Sequence, residues 1–484
     1  MMRFAPLLLG CLALLSWHDV ASAQIELGTR RELFVDDFLI ETLDGTQLKM
    51  HAPQPLGVVL RFDEPWEGAF CGYVTILQDG PTYRMYYRGL PEAGSDGSSR
   101  EVTYYAESQD GVNWIKPELG LFEVRGTKQN NVILANAAPV THNFCPFLDT
   151  RDDVPEGERY KALGGTAKSG LIGFTSPDGI HWTRIQKEAL FRDTDWVFDS
   201  QNVPFWSETE NCYVLYYRKS LNGIRAIGRA TSPDFHSWSD PVQMTFGDTK
   251  PEHLYTNQTR PYFRAPHIYI GVAARFMPGR QVLTAEQAKA INVNPKYFGD
   301  ISDAVLLTTR GGSRYQRTFM ESFIRPGLGI ENWVSRTNYP ALGIVPTGED
   351  QLSIYVQKNY GQPTARLDRY GLRPDGFVSV NAPYAGGEMV TRSLTFAAEK
   401  AGSQRQLRLN FSTSAAGSIR VEIQDAAGKA IDGYALDDCN EIIGDDLQRV
   451  VSWKSGSNLA ALADRAVRLR FVMHDADLYA IQFE

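Results

Sequence analysis

The sequence predicts an all-β fold, in which a five-bladed β-propeller is followed by a C-terminal β-sandwich. A short sequence motif occurs four times along the chain. It begins with Ser or Thr, continues with a turn that usually contains Gly, and ends with an aromatic residue six positions after the first. A shortened fifth copy follows. The copies occupy residues 108–114, 176–182, 232–238, 309–315 and 373–377. Their intervals of about 55 to 80 residues are too long for a helical solenoid and suit a propeller blade. Five copies therefore predict five blades.

Strand signals between the copies support this fold class. In the first unit, apolar and aromatic runs at 73–77, 83–88 and 102–106 are separated by turns, one of which contains Asp79-Gly80. Such runs predict an antiparallel meander, and the same order recurs in the other four units. The residue periodicity of a helix extends only over short segments, such as 284–291. Each unit should therefore have an inner strand whose beginning lines a central well.

The repeats stop after Glu388, and a clean alternation of apolar and polar residues follows. It is clearest at 407–411, 419–423 and 467–472, and it predicts an antiparallel sandwich of about 100 residues. The predicted domains are a signal peptide at 1–23, the propeller at 24–385 and the sandwich at 386–484.

The repeated motif itself has a structural explanation. Its Asp can accept hydrogen bonds from backbone amides two residues further on, and its Gly tolerates a positive φ. Its aromatic ring can pack between neighbouring sheets. We therefore interpret the Asp and Trp residues of the motif as structural rather than functional.

Composition restricts the possible partners. The chain has 484 residues, of which 43% are apolar and 22% charged, and this is typical of a folded protein. A formal net charge of -8 and a pI near 5.6 disfavour nucleic acid and anionic membranes as partners. Neutral or cationic ligands fit this charge better.

The first residues have the form of a secretory signal peptide. Arg3 precedes an apolar run at 4–15, and Ala21-Ser22-Ala23 forms a small-x-small cleavage site before Gln24. No later stretch reaches the ~20 apolar residues of a membrane span. The sequence thus predicts a secreted or periplasmic product without a membrane anchor.

The cysteines and histidines do not indicate a cofactor. After cleavage Cys71, Cys145, Cys212 and Cys439 remain, and neither they nor the histidines have metal-ligand spacing. We predict no cofactor, and a central calcium ion held by carboxylates stays open.

Several motifs resemble a known group of proteins. They are 31–40 (Arg-Glu-Leu-Phe-Val-Asp-Asp-Phe-Leu-Ile), 199–202 (Asp-Ser-Gln-Asn), 317–327 (Arg-Thr-Phe-Met-Glu-Ser-Phe-Ile-Arg-Pro-Gly) and 475–479 (Asp-Ala-Asp-Leu-Tyr). These motifs resemble those of exported, planctomycete-type proteins similar to glycoside hydrolase family 32. The five units and the sandwich also resemble families 68 and 43. The resemblance implies a propeller with a central carboxylate site that acts on carbohydrate.

The chain departs from the family 32 pattern at the expected active-site positions. Its first inner strand reads Phe-Cys-Gly-Tyr-Val at 70–74, without the carboxylate that the family has there. Arg151-Asp152-Asp153 follows the second inner strand and lies in a turn. In the third inner strand, Asp199 can take the place of the family's acidic residue. A fructan-cleaving activity therefore does not transfer residue by residue.

Hydrolysis of a glycosidic bond needs one protonated and one ionised carboxyl group, about 5 to 10 Å apart. Glu67, Asp199 and Glu252 precede predicted inner strands, and Asp37 in the Asp36-Asp37 pair is a further candidate. One of these two adjacent acids should point inward and the other outward. We expect Asp199 or Glu252 as the general acid, and Glu67 or Asp37 as its ionised partner.

Polar and aromatic side chains near these acids suit the hydroxyl groups and faces of a sugar. The predicted substrate-binding residues are Trp66, His142, Asn143, Gln201, Asn202, His253, Tyr255, Arg336 and Asn338. The predicted partner is an oligo- or polysaccharide.

Three functions stay open at this point. The leading prediction is an exported carbohydrate-active hydrolase. The second is a glycan-binding propeller without catalysis, because the family's motifs are missing. The third is a polysaccharide lyase, in which His142 or His253 and Tyr255 act as base and acid on an acidic sugar.

Overall fold

The computed structural model describes residues 24–92, 96–194, 197–397 and 404–484. The predicted signal peptide at 1–23 lies outside the described residues. Nearly all elements are β-strands, and the one α-helix of the described residues is α1 (Ala285–Ala290). The predicted all-β fold class is confirmed. Within these ranges, no helix has the length and apolar character that crossing a membrane requires.

The described part of the chain begins with five strands that do not start a blade. They are β1 (Ile25–Glu26), β2 (Glu32–Leu33), β3 (Ile40–Asp44), β4 (Gln47–Met50) and β5 (Gln54–Arg61).

Five meanders follow, and we number them blades one to five. Blade one contains β6 (Gly72–Asp79), β7 (Thr82–Gly89), β8 (Val102–Ser108) and β9 (Val132–Leu134). Blade two contains β10 (Cys145–Leu148), β11 (Tyr160–Thr166), β12 (Gly170–Ser176) and β13 (Thr183–Arg184). Blade three contains β14 (Val203–Ser207), β15 (Cys212–Leu221), β16 (Ile224–Ser232) and β17 (Val242–Gln243).

Blade four contains β18 (Leu254–Thr256), β19 (Thr259–Tyr262), β20 (Ala265–Met277) and β21 (Ile301–Thr309), with α1 between the last two. Here β18 and β19 both pair with the long β20, so they form one inner strand interrupted near Gln258. Blade five contains β22 (Tyr339–Pro346), β23 (Leu352–Lys358) and β24 (Arg366–Leu372), and β5 pairs with β24 as its outer strand. Blade five is thus built from two distant parts of the chain.

The first strands of the blades contact one another around an axis. Strands β6, β10, β14, β19 and β22 each contact the next in this order, and β22 returns to β6 through a parallel pair at Leu342 and Thr75. The side chains at the beginnings of these five strands therefore converge.

The C-terminal strands are β25 (Val378–Ala382), β26 (Gly387–Thr391), β27 (Leu394–Thr395), β28 (Leu407–Asp425), β29 (Asp445–Val450) and β30 (Val467–Phe483). They belong to one hydrogen-bonded sheet of ten strands rather than to two separate sheets. This follows from the length of β28 and β30, which pair with each other from end to end.

The predicted domain boundaries require a correction. Strands β1 to β4 pair with β27, β30, β26 and β25 of the C-terminal sheet, and β25 at 378–382 also lies in that sheet. The reason is the apolar character of the N-terminal segment, since Phe34, Leu39 and Ile40 are buried in the C-terminal core. The propeller therefore spans 54–372, and the second domain combines 25–50 with 378–484.

Asp375, in the shortened fifth copy of the repeat, connects the two domains. Its buried carboxylate accepts hydrogen bonds from Arg31 at 3.2 Å, Tyr262 at 2.8 Å, Arg264 at 2.9 Å and Asn410 at 2.9 Å. Because the donors come from both domains, this carboxylate fixes one domain against the other.

The repeated turns are built as the sequence predicts. In the second copy, Oδ1 of Asp178 accepts hydrogen bonds from the amides of Ile180 at 2.9 Å and His181 at 2.8 Å. Trp182 packs edge-on against Tyr86 of blade one and Phe144 of its own blade. Copies one and three repeat the Asp hydrogen bonds. These residues join blades and lie away from the axis.

Candidate active site

A ring of hydrogen-bonded side chains closes the centre of the propeller. Nε2 of Gln201 donates to Oγ1 of Thr75 at 2.5 Å and lies 3.6 Å from Sγ of Cys145. Nε2 of Gln258 donates to Oε1 of Gln201 at 2.7 Å and to the carbonyl oxygen of Pro340 at 2.9 Å. Each blade contributes one residue. Gln201, predicted as a substrate contact, is instead buried in this ring.

Four residues near the axis, at the beginnings of the inner strands, have a left-handed backbone conformation. Tyr73, Phe198, Arg336 and Asn338 have φ angles of 51°, 64°, 56° and 70°. The left-handed region is costly for bulky residues, and such strain often occurs at functional sites. We call the region around Asp199 at this end of the axis the central well and define it by Tyr73, His142, Asp199, Arg218, Arg225, Tyr255 and Arg336.

Asp199 is the accessible carboxylate of the central well. Its side chain is 51% exposed to solvent although protein surrounds it on most sides. Oδ2 accepts a hydrogen bond from Nη2 of Arg218 at 2.7 Å, and Oδ1 lies 3.5 Å from Nε2 of His142. Nδ1 of the buried His142 lies 3.1 Å from Oε1 of the buried Glu101. The imidazole is therefore held between two carboxylates.

This arrangement separates the pKa values of Asp199 and His142. Partial burial alone would raise the pKa of Asp199, but the hydrogen bond from His142 and the charge of Arg218 outweigh it and lower the pKa to about 2. Burial alone would lower the pKa of His142, whereas its hydrogen bonds to Asp199 and Glu101 raise it. Asp199 is thus ionised, and the expected role of this residue as a general acid does not fit its surroundings.

Three asparagines hold the loops that carry these groups. Nδ2 of Asn143 donates to the carbonyl oxygens of Phe198 at 2.5 Å and Ser200 at 2.8 Å. Asn202 donates to the same two carbonyl oxygens. Nδ2 of Asn338 donates to the carbonyl oxygen of Ser302 at 3.0 Å. All three asparagines are buried, so they position the loops and do not face a ligand, contrary to the prediction.

Three arginines surround the ring of Tyr255. Their guanidinium carbons lie 4.6 Å (Arg218), 5.3 Å (Arg225) and 5.7 Å (Arg336) from its centroid. Tyr255 itself is buried, so it supports the arginines rather than acting as a proton donor from an exposed position.

A second carboxyl group, that of Asp300, interacts electrostatically with Arg336. Asp300 directly precedes β21, and one of its oxygens is buried without a hydrogen-bond partner among the described residues. Burial raises the pKa of Asp300, against its hydrogen bond with Ser335 and the charges of Arg336 and Arg225. Arg336 also lowers the pKa of Asp199. Arg336 thus interacts with two carboxyl groups whose pKa values differ. The pKa of Asp199 is lowered, and the pKa of Asp300 is raised.

Asp96, Glu101 and His142 are the residues best placed to hold a cation. Their ligand atoms lie within 4.8 Å of one another. Nη1 of Arg88, however, is 3.6 Å from Asp96, 3.7 Å from Glu101 and 3.5 Å from His142. The guanidinium group already supplies a positive charge at this position. These three residues therefore do not fit a metal ion unless Arg88 moves.

Two predicted residues, Glu67 and Trp66, lie inside blade one. The carboxylate of Glu67 is fully buried, and it accepts hydrogen bonds from Tyr87 at 2.6 Å, Lys116 at 2.9 Å and the amide of Glu64 at 3.0 Å. Nε1 of Trp66 donates to Asn131 at 3.0 Å. Burial raises the pKa of Glu67. Because its hydrogen bonds enclose this carboxylate within the blade, a catalytic role for it is not supported.

Glu252 and His253 line a separate cavity of about 720 Å³ beside blade four, together with Arg325 and Trp333. Oε2 of Glu252 accepts a hydrogen bond from Arg317 at 2.9 Å, and Oε1 accepts one from Arg275 at 3.2 Å. Both oxygens of this carboxylate are thus bound by arginines. The expected general-acid role of Glu252 is therefore not supported.

Asp36 is buried and Asp37 is exposed, but they lie in a bend between β2 and β3 and not in the predicted strand. Asp36 accepts two hydrogen bonds of 3.0 Å from Arg310, which directly follows β21. The other end of β21, at Ser302, lies near the central well. A strand of nine residues spans about 30 Å, so Asp37 lies far from Asp199 and cannot be its partner.

The prediction did not include Arg88, Arg218, Glu101 and Asp300. A signal for the two arginines exists, since the second strands of blades one and three both contain Tyr-Tyr-Arg, at 86–88 and 216–218. A charged residue after two buried tyrosines needs a partner or a function. Glu101 and Asp300 lie in loops and have no comparable signal.

Comparisons with known proteins add similarity at the level of structure only. No protein-family model matches the sequence, and no curated protein matches it. A structure described as a glycoside hydrolase is 10% identical with a TM-score of 0.45, covering 66% of this chain and 92% of its own.

Two further structures show a similar degree of likeness. A fructofuranosidase from Schwanniomyces occidentalis complexed with fructosylnystose is 9% identical with a TM-score of 0.37, covering 88% of this chain and 96% of its own. An alpha-L-arabinofuranosidase from Podospora anserina in complex with cellotriose is 11% identical with a TM-score of 0.40, covering 66% and 96%. Identities this low do not transfer residue roles.

Proposed function

We propose that this protein is a carbohydrate-active enzyme that hydrolyses a glycosidic bond in the central well. The observation that carries the proposal is that Asp199 and Asp300 both interact electrostatically with Arg336. Asp199 is accessible and ionised, whereas the pKa of Asp300 is raised by burial. Two carboxyl groups with pKa values pushed apart are the usual requirement of acid and base assignment in a glycosidase.

In this reaction Asp300 donates its proton to the glycosidic oxygen while the bond to the anomeric carbon breaks. Asp199 either bonds to the anomeric carbon or accepts the proton of the attacking water. Arg218 and His142 keep Asp199 ionised and oriented. His142 is a positioning residue, because it is buried and acts on the substrate only through Asp199.

A second candidate function is eliminative cleavage of an acidic polysaccharide. It is favoured by the arginines around Tyr255, since a cation that neutralises a sugar carboxylate makes the neighbouring proton easier to remove. Tyr73, partly exposed at the well, would then be the proton-transfer group. The two reactions give different products, because elimination leaves an unsaturated sugar that absorbs ultraviolet light.

The test is product analysis with the full mature chain and a panel of neutral and acidic oligosaccharides. Hydrolysis predicts new reducing ends without ultraviolet absorption, and their loss in Asp300→Asn. An absorbing product would overturn hydrolysis in favour of elimination. Binding without any product would overturn both and indicate a glycan-binding propeller.

We further propose that the enzyme is exported, on the basis of the signal-like sequence at 1–23. N-terminal sequencing of the product recovered outside the cytoplasm should begin at Gln24. A product that begins at Met1 and stays in the cytoplasm would contradict export.

A further inference from the structure

Two of the arginines at the central well, Arg225 and Arg336, form no close ion pair with a described residue, although their charges act on Asp300 at longer range. Arg218 pairs with Asp199, and Arg88 pairs with Asp96 and Glu101. Among the ion pairs of the described residues, none includes Arg225 or Arg336. Partly buried cations are normally paired. The two exceptions therefore require an explanation.

Aromatic rings hold these two guanidinium groups in place. The Arg225 guanidinium lies 4.4 Å from the ring centroid of Phe276 and 5.3 Å from that of Tyr255. Arg336 lies 4.8 Å from the ring centroid of Tyr297 and donates from Nη1 to the Tyr297 hydroxyl oxygen at 3.2 Å. Contacts with ring faces fix a guanidinium plane and leave N–H groups at its edge free to donate.

The convergence of charge also needs compensation. Arg218, Arg225 and Arg336 all surround Tyr255, and among the described residues Asp199 is the one carboxylate that forms an ion pair with any of them. Three like charges around one ring repel one another. In addition, Arg336 has a φ of 56°, a strained conformation that brings its side chain to this position at the start of an inner strand. An anionic ligand would relieve the repulsion.

We propose that the central well binds the anionic group, a carboxylate or a sulfate ester, of an acidic sugar through Arg336 and Arg225. This inference rests on the proposed function and names the substrate class of the same site. Both anions accept hydrogen bonds from the edge of a guanidinium group, and the planar carboxylate matches its two parallel N–H groups best. The overall charge of -8 does not oppose this, because the site is locally basic.

The test is equilibrium calorimetry with the full mature chain. The probes are methyl glucuronide, glucose 6-sulfate and methyl glucoside. We expect at least one anionic probe to bind about ten times more tightly than methyl glucoside, in line with charge-assisted hydrogen bonds. Preference for the glucuronide indicates a carboxylate, and preference for the sulfate ester indicates a sulfated sugar.

The variants are Arg336→Ala, Arg336→Lys and Arg225→Ala, each checked by its thermal unfolding curve. Arg336→Ala should lose about tenfold in affinity for the anionic probe and none for methyl glucoside, and Arg336→Lys should lose less. Arg280→Ala is the matched control, because Arg280 is exposed on the rim of the neighbouring cavity. It should bind as the wild type does.

Equal binding of the three probes, or absence of anionic binding, overturns the inference. So does unchanged affinity in a folded Arg336→Ala. Hydrolysis of a neutral oligosaccharide without anionic binding would reject this inference alone. Anionic binding without any cleavage would reject the proposed function alone.

Discussion

Nε2 of His142 lies 3.5 Å from Oδ1 of Asp199, at the boundary between the buried centre of the propeller and the open well. The imidazole is buried, whereas half of the carboxylate surface is accessible. The pKa of His142 is raised and that of Asp199 is lowered to about 2. The pair therefore favours the ionised form of the Asp199 carboxylate at the central well.

His142→Gln should raise the pKa of Asp199, because a neutral amide replaces the imidazole whose hydrogen bond and charge lower it. Since activity requires ionised Asp199, the acidic limb of the kcat/KM profile should move to higher pH. The matched control is His236→Gln, which replaces an exposed histidine of a blade turn. A limb that stays in place in His142→Gln would show that this histidine does not control Asp199.

Asp300→Asn should lower kcat on natural oligosaccharides by about two orders of magnitude, because a proton donor is lost. The loss should be much smaller on aryl glycosides, whose leaving groups depart without protonation. In the wild type, activity should fall as the pH rises through the raised pKa of Asp300. An equal loss on both kinds of substrate would argue against a role as general acid.

Glu67→Ala should destabilise the protein by about 3 to 5 kcal/mol, because it leaves the largely buried Lys116 without its close partner. Urea unfolding measures this difference. Tyr87→Phe should cost less, since it removes a single hydrogen bond to the carboxylate. A folded Glu67→Gln that loses all turnover would instead restore the catalytic role predicted from the sequence.

The turn carboxylates should contribute to acid sensitivity. Asp178 and Asp234 have pKa values of about 2, because hydrogen bonds from backbone amides outweigh their partial burial. A lowered pKa adds stability above the ordinary value of 3.8, and this contribution disappears as the pH falls from about 4 to 2. Urea unfolding at a series of pH values should therefore be less pH-dependent for the double variant Asp178→Asn with Asp234→Asn. Identical slopes would contradict this account.

The sequence predicts the repeating part of the structure well, because turn chemistry and strand alternation are local. Asp178 and Trp182 show this, since both act within or next to their own blade. The role of 25–50 was not predictable, because the pairing of Leu33 with Ala480 joins residues from opposite ends of the chain.

The site was predicted only in part for the same reason. Asp199, His142 and Arg336 lie at the beginnings of inner strands and could be found by counting blades. Glu67 and Glu252 satisfy the same placement, but Lys116 and Arg317 neutralise them from distant positions. Asp300 lies in a loop whose position depends on the packing of blade four, and no local pattern marks it.

The most direct test of the central claim compares Asp199→Asn with Asp37→Asn in turnover of an oligosaccharide that the wild type cleaves. Asp199→Asn should stay folded, with some loss of thermal stability because it removes the ion-pair partner of Arg218, and it should lose at least about a hundredfold in kcat. Asp37→Asn replaces an exposed carboxylate far from the central well and should keep full activity. Unchanged turnover in a folded Asp199→Asn would contradict the assignment of the central well as the active site.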